Sequence, residues 1–171
     1  DDVMMVTEEG MSIRFHAVDI RARHRAAGGV KGMVLAPKDK IVAADIAVLD
    51  SKLLVISRNG FGKITDLNRY RTQGRAGHGI KTLNVTKKTG KLAAAQVIVD
   101  SDEVYVVSQK AQVIRTNLSE IRNTGRATQG VTIFKTSPGD YVTSIACVGD
   151  FEVPDDVVKP ELATKKRKVT V

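Results

Sequence analysis

Apolar and polar positions follow one another along this chain in an order that returns three times. Val3-Met4-Met5-Val6, Leu53-Leu54-Val55-Ile56 and Val104-Tyr105-Val106-Val107 are four-residue apolar runs. They lie about 50 residues apart, a period typical of repeat architectures. Short runs of this kind, rich in β-branched and aromatic residues apart from the Met-centred first, predict buried strands. A turn follows each run, at 7–10, 57–60 and 108–111, and Asn59-Gly60 is a strong hairpin signal. Second strands are expected over Ser12–Phe15, Gly62–Thr65 and Val113–Thr116, third strands over Val30–Leu35, Ile80–Val85 and Val131–Lys135. Further turns, with Pro37, Gly90 and Pro138-Gly139, lead to fourth strands over Ile41–Val48, Leu92–Val99 and Tyr141–Val148. Small residues there, such as Ala93-Ala94-Ala95, would let neighbouring strands pack closely near a central axis. No long helix is predicted. The fold class read from this pattern is all-β and propeller-like, with three four-stranded blades at 1–49, 50–100 and 101–150 and a non-repeating tail at 151–171.

Between the second and third strand of each unit lies a second repeated pattern. Arg21–Val30, Arg71–Ile80 and Arg122–Val131 each read Arg-x-x-x-Arg-Ala-x-x-Gly followed by Val or Ile. Two arginines and a glycine return in register while the residues between them drift. Arginine repeated in step with the fold places positive charge at equivalent points of successive units, the layout of a track for a polyanion.

Charge sharpens this reading. The chain carries 27 Lys plus Arg against 19 Asp plus Glu, a net charge of +8, and its sequence pI is about 9.7. Such a balance favours nucleic acid or another polyanion as partner. The signs are also sorted. Segments 14–35, 63–85 and 115–135 hold 14 Lys or Arg and only Asp19, Asp66 and Glu120 as acids. Acids collect instead at the joints, at Asp1-Asp2, Asp50 and Asp100 to Glu103. A surface charged merely for solubility mixes its signs.

Other chemistry finds little support in the residues. No apolar run approaches the roughly 20 residues needed to span a bilayer, and the Asp-Asp start lacks the basic flank of a signal peptide. The single cysteine, Cys147, lies in an apolar run and reads as a packed core thiol of a reducing cytoplasm. Gly60-Phe61-Gly62-Lys63 has Ser57 where a phosphate loop needs its first glycine and Ile64 where it needs Ser or Thr. His16, His24 and His78 share neither repeat positions nor a ligand spacing, and no catalytic constellation recurs.

Three stretches carry a family resemblance: Gly125-Arg126-Ala127-Thr128-Gln129-Gly130-Val131, Ser57-Arg58-Asn59-Gly60-Phe61-Gly62-Lys63, and Val113 through Ile121. Across residues 1–150 the chain resembles the C-terminal β-pinwheel domain of the bacterial DNA gyrase A subunit, specifically the last three blades of a six-bladed array. The topoisomerase IV counterpart, with a similar but more degenerate array, stands second. The diagnostic gyrase box of the first blade is absent; Arg25-Ala26-Ala27-Gly28-Gly29 occupies an equivalent place in a later blade. Three blades fall short of the four or more that close a propeller, so a fragment cut at a blade boundary, or a chain whose upstream blades are missing, is expected. The nucleophilic tyrosine of the family lies in another domain; Tyr70, Tyr105 and Tyr141 are read as structural.

The resemblance implies a DNA wrapper in which the blades' basic outer loops hold the phosphates of sequence-independent double-stranded DNA. It implies, as partners, upstream A-subunit domains and the gyrase B subunit. ATP and Mg2+ would be used elsewhere in the holoenzyme, with no cofactor in this chain, in a bacterial cytoplasm. The expected principal contacts are Arg21, Arg25, Lys31, Arg71, Arg75, Lys81, Arg122 and Arg126, with Arg23, Arg69 and Lys135 as helpers. Gly29, Gly79 and Gly130 are expected to serve as turn residues and to bring backbone N–H groups close to phosphate. The tail, with Lys165-Lys166-Arg167-Lys168, reads as a basic segment that touches DNA or as a solvated terminus. A propeller-like platform for proteins, with no nucleic acid involved, is the alternative from another class.

Overall fold

The computed structural model describes residues 1–99 and 103–149. The predicted tail and the acidic joint at Asp100 and Asp102 lie outside them. Eleven strands form three antiparallel sheets among the described residues. The first contains β1 (Asp2–Thr7), β2 (Met11–His16) and β3 (Ile41–Ala47). The second contains β4 (Lys52–Ser57), β5 (Phe61–Asp66) and β7 (Leu92–Ile98). The third contains β8 (Glu103–Ser108), β9 (Val113–Asn117) and β11 (Val142–Val148). Two short strands, β6 (Ile80–Lys81) and β10 (Val131–Thr132), complete the set. All-β architecture and the 50-residue repeat are as the sequence predicts.

Strand connectivity departs from the simple pattern. β6, from the second unit, pairs with β2 of the first, Met11 opposite Lys81 and Ser12 opposite Ile80. β10, from the third unit, pairs with β5 of the second, Val131 opposite Gly62. The third strands of the second and third units therefore join the sheet of the preceding unit, not their own. The sheet orders are β3-β1-β2-β6, β10-β5-β4-β7 and, with three strands among the described residues, β11-β8-β9. The expected strand over Val30–Leu35 does not form, and the other two third strands shrink to two residues each. The physical reason is reach. The connection after β2, β5 or β9 carries one 3-10 turn (Ala17–Asp19, Leu67–Arg69, Leu118–Glu120) and then runs extended, long enough to cross to a neighbouring sheet.

Gly79 and Gly130 make that crossing possible. Both sit immediately before the exchanged strand with φ of +75° and +77°, where a side chain is strained. A Cβ at Gly79 would collide with the Ser12 carbonyl oxygen, and one at Gly130 with that of Gly62. At these two positions the repeated glycine thus lets the chain settle against the preceding unit's strand, the turn role the sequence also allows.

The middle apolar run is buried throughout because strand side chains alternate between faces, and both faces of β4 are covered. On β4, Leu53 and Val55 enter a core with Met4, Val6, Tyr70 and Leu83. Leu54 and Ile56 enter the next core with Val104, Val106 and Phe134. A strand sandwiched on both sides is apolar throughout, and these four residues are at most 1% exposed. The inner strands β3, β7 and β11 pack side by side, as their small residues suggest. Two equivalent side chains clip them: Asp45 Oδ2 accepts from Val97 N at 3.0 Å and Gln96 Oε1 from Cys147 N at 3.2 Å.

Candidate nucleic-acid interface

The arginine motifs lie in the extended connections that cross between units, and backbone bonds pin them there. In the second unit, Gln73 N donates to Arg14 O at 2.8 Å, Ala76 N to Gly32 O at 2.7 Å, and Val34 N to Gly77 O at 2.9 Å. In the third, Thr124 N donates to Ile64 O at 2.9 Å and Asn84 N to Thr128 O at 3.1 Å. The second and third motifs are therefore laid on the unit before each.

Crossing brings together residues that sequence spacing separates. Arg75 Nη1 donates to the Lys31 carbonyl at 2.5 Å, and Arg126 Nη1 reaches the Lys81 carbonyl at 3.4 Å. The second arginine of one motif thus stands on the lysine that follows the glycine of the previous motif. Arg75 also joins Arg21 and Arg23 around an open hollow of about 490 Å3 that includes Asp19. Basic residues gather at the junctions between units rather than at the centre of each. The third unit has Thr132 where Lys31 and Lys81 stand.

Exposure and pairing sort the cations further. Arg21, Arg23, Arg25, Lys31, Arg69, Arg71, Lys81, Arg122 and Lys135 are exposed, while Arg75 and Arg126 are half-buried. Arg126 lies over the Tyr70 ring, 6.0 Å from its centroid. Among the described residues, only Arg69 of these eleven approaches a carboxylate, Asp66 at 3.9 Å. Elsewhere the arginines are paired: Arg14 with Asp2, Arg58 with Glu8, Arg115 with Glu103. Cations kept clear of acids have their N–H donors available to an incoming anion. Arg25, Arg69, Arg71, Arg122 and Lys135 are not drawn into either junction pair.

Two supporting residues escaped the sequence reading. Arg14, beside Asp2 at 2.6 Å, donates through Nη1 to the carbonyls of Leu67 and Tyr70, fixing the turn that launches the second motif. Burial pushes the Asp2 carboxyl up, but Arg14 and His16 outweigh it and hold it below the usual range. Lys63, fully buried in β5, extends its ammonium into the third motif, donating to the carbonyls of Gly125 and Arg126 and to Thr128 Oγ1. Its cross-strand partner is Val55, and the equivalent residues of β2 and β9 are Ile13 and Ile114. A cation at a position that is apolar in the other units was the signal available.

The cysteine has the opposite environment from a nucleophile. Burial and the nearby Asp45 carboxylate push the Cys147 thiol up to about 11.

Three strand-exchanging repeats of about 50 residues, with basic clusters at their junctions, define a β-propeller-type repeat domain. The sequence model of the DNA gyrase C-terminal domain, beta-propeller, matches residues 1–47, 51–98 and 102–149. The chain belongs to that family. It is 36% identical over 148 residues to the DNA gyrase A subunit of Mycolicibacterium smegmatis, covering 85% of this chain and 18% of that one. The chain thus spans about a fifth of the curated relatives it matches. Two solved structures share the fold. The C-terminal domain of DNA topoisomerase IV gives a TM-score of 0.81 at 25% identity, covering 87% of this chain and 47% of that one. The DNA gyrase A C-terminal domain gives 0.79 at 25% identity, covering 86% and 50%.

Proposed function

We propose that this chain is the DNA-binding and DNA-wrapping part of a DNA gyrase A subunit, bending duplex around its basic junctions to support ATP-dependent negative supercoiling. What carries the reading is the repeated Arg–Lys junction, Arg75 on Lys31 and Arg126 on Lys81, with these cations free of carboxylates among the described residues. Gyrase A relatives at 36–37% identity favour gyrase over topoisomerase IV, whose solved domain is equally close in fold.

Mechanistically, phosphates held at successive junctions keep one bend direction. Smooth bending of a short site by 40–90° costs about 1–6 kcal/mol, which several phosphate contacts offset without reading bases. In this reading the upstream A-subunit domains cut and rejoin DNA, the B subunit hydrolyses ATP with Mg2+, and the assembly works in a bacterial cytoplasm. Arg21, Arg25, Lys31, Arg71, Arg75, Lys81, Arg122 and Arg126 touch phosphate, assisted by Arg23, Arg69 and Lys135.

Wrapping, as opposed to binding, has a topological readout. Nicked plasmid sealed by ligase with saturating protein should acquire a linking-number change that scales with protein bound. Tight binding with no change in linking number would reduce the domain to a clamp.

A further inference from the structure

Lys63 is the one lysine of the described residues that is wholly enclosed, and no carboxylate accounts for it. A buried ammonium normally requires a paired anion or full hydrogen bonding. Here the three N–H groups meet three oxygens of a single turn: Gly125 O at 2.6 Å, Arg126 O, and Thr128 Oγ1 at 3.1 Å. Thr128 is itself locked, its hydroxyl 2.9 Å from both Gly125 O and Thr124 Oγ1. The turn so held is the one that carries Arg126. At the neighbouring junction the same place is filled differently: a Cβ on Gly77 would lie 3.4 Å from the Ile13 methyl, with no donor beneath the turn.

We propose that Lys63 is a positioning residue for the Arg126 turn: its ammonium, buried in the second unit, holds the third unit's arginine where it meets the phosphate backbone. This rests on the reading of Arg126 as a phosphate contact. Lys63 cannot touch the polyanion, so it acts only through the turn.

The ammonium is also poised to lose its proton. Burial first, and then the Arg126 guanidinium, lower its pKa to about 8. The other titratable groups of the elements around it are engaged or remote. The Tyr70 hydroxyl is 2.5 Å from Thr82 Oγ1, Asp66 accepts from Asn123 and lies 3.9 Å from Arg69, and the Arg126 side chain is turned to the Lys81 carbonyl. Raising the pH through 8 therefore removes a donor from the turn. An anion on Arg126 opposes that loss, because it offsets the guanidinium's repulsion.

The test measures affinity of the 171-residue chain for random-sequence duplex at about 0.1 M salt, with Arg126→Ala, Lys63→Met and the double variant. Loss of one phosphate contact is worth roughly eightfold at this salt. Arg126→Ala should lose that much, Lys63→Met a similar amount, and the double variant no more than Arg126→Ala alone. Between pH 7 and 9 the unmutated chain should weaken while Lys63→Met stays flat. If Arg126→Ala binds like the parent, the underlying reading of Arg126 fails. If Arg126→Ala weakens but Lys63→Met does not, or if the two losses multiply, the positioning role is overturned. Should Lys63→Met fail to fold, the pH profile of the unmutated chain decides alone, and a flat profile overturns the proposal.

Discussion

With the positioning role proposed for it, Lys63 pulls stability and binding in opposite directions. Below pH 8 it is protonated both folded and unfolded and contributes no slope to stability. Between about 8 and its ordinary 10.5, the unfolded chain binds the proton the folded chain has released. The state that binds more protons is favoured by acid, so stability must rise with pH across this window. Urea midpoints of the parent should therefore rise relative to those of Lys63→Met between pH 8 and 10, while the parent's DNA affinity falls. A parallel slope in both proteins would assign the effect elsewhere. Cys147 gives a simpler residue-scale expectation. With its thiol raised to about 11, alkylation at pH 8 should be far slower than that of a free thiol in a peptide, until the protein is unfolded. Rapid alkylation of the native protein would contradict the packed environment.

Among elements, the exchanged strand is where sequence and structure part company. The apolar runs on β1, β4 and β8 were legible, although only β4 is fully buried on both faces, β1 and β8 alternating buried with half-buried residues. The hairpins were legible too. The exchange was not, because local pattern records that a short strand follows the glycine but not which sheet receives it. The glycine held a clue that only geometry decodes. Gly79 and Gly130 have positive φ and a carbonyl oxygen where a Cβ would go, whereas Gly29, at the same repeat position, has neither. Gly130→Ala should therefore cost about 2 kcal/mol or more, from left-handed backbone plus displacement of the Gly62 strand. Gly29→Ala should be nearly neutral, within about 0.5 kcal/mol, as at an open surface position. Denaturant unfolding compares them directly, and equal losses would refute the assignment of the glycine to strand exchange. The candidate site was legible in a similar half-measure. Its arginines stood out by repetition, but the pairing of Arg75 with Lys31 spans 44 positions and arises only from the exchange.

At the scale of the molecule, exchange and charge become one design. Because the second and third units' connections cross to the preceding unit, each of the two junctions receives basic residues from two units, and the clusters follow the unit spacing. Duplex DNA carries a charge about every 1.7 Å of axis, so a long duplex should engage both junctions and a short one a single junction. The exposed arginines, Arg69 apart, lack acidic partners among the described residues, so removing them should barely change stability, whereas Arg75 and Arg126, half-buried and bonded across the junctions, should cost about 1 kcal/mol each. The decisive measurement is the slope of log affinity against log salt for random duplex, long and short, in the parent, Arg71→Ala/Arg75→Ala and Arg122→Ala/Arg126→Ala. A junction track predicts a steep parental slope, reduced by up to about two in either double variant, with long duplex losing more than short. A shallow parental slope, or one pair silent while the other abolishes binding, would contradict the track and leave a single local site in its place.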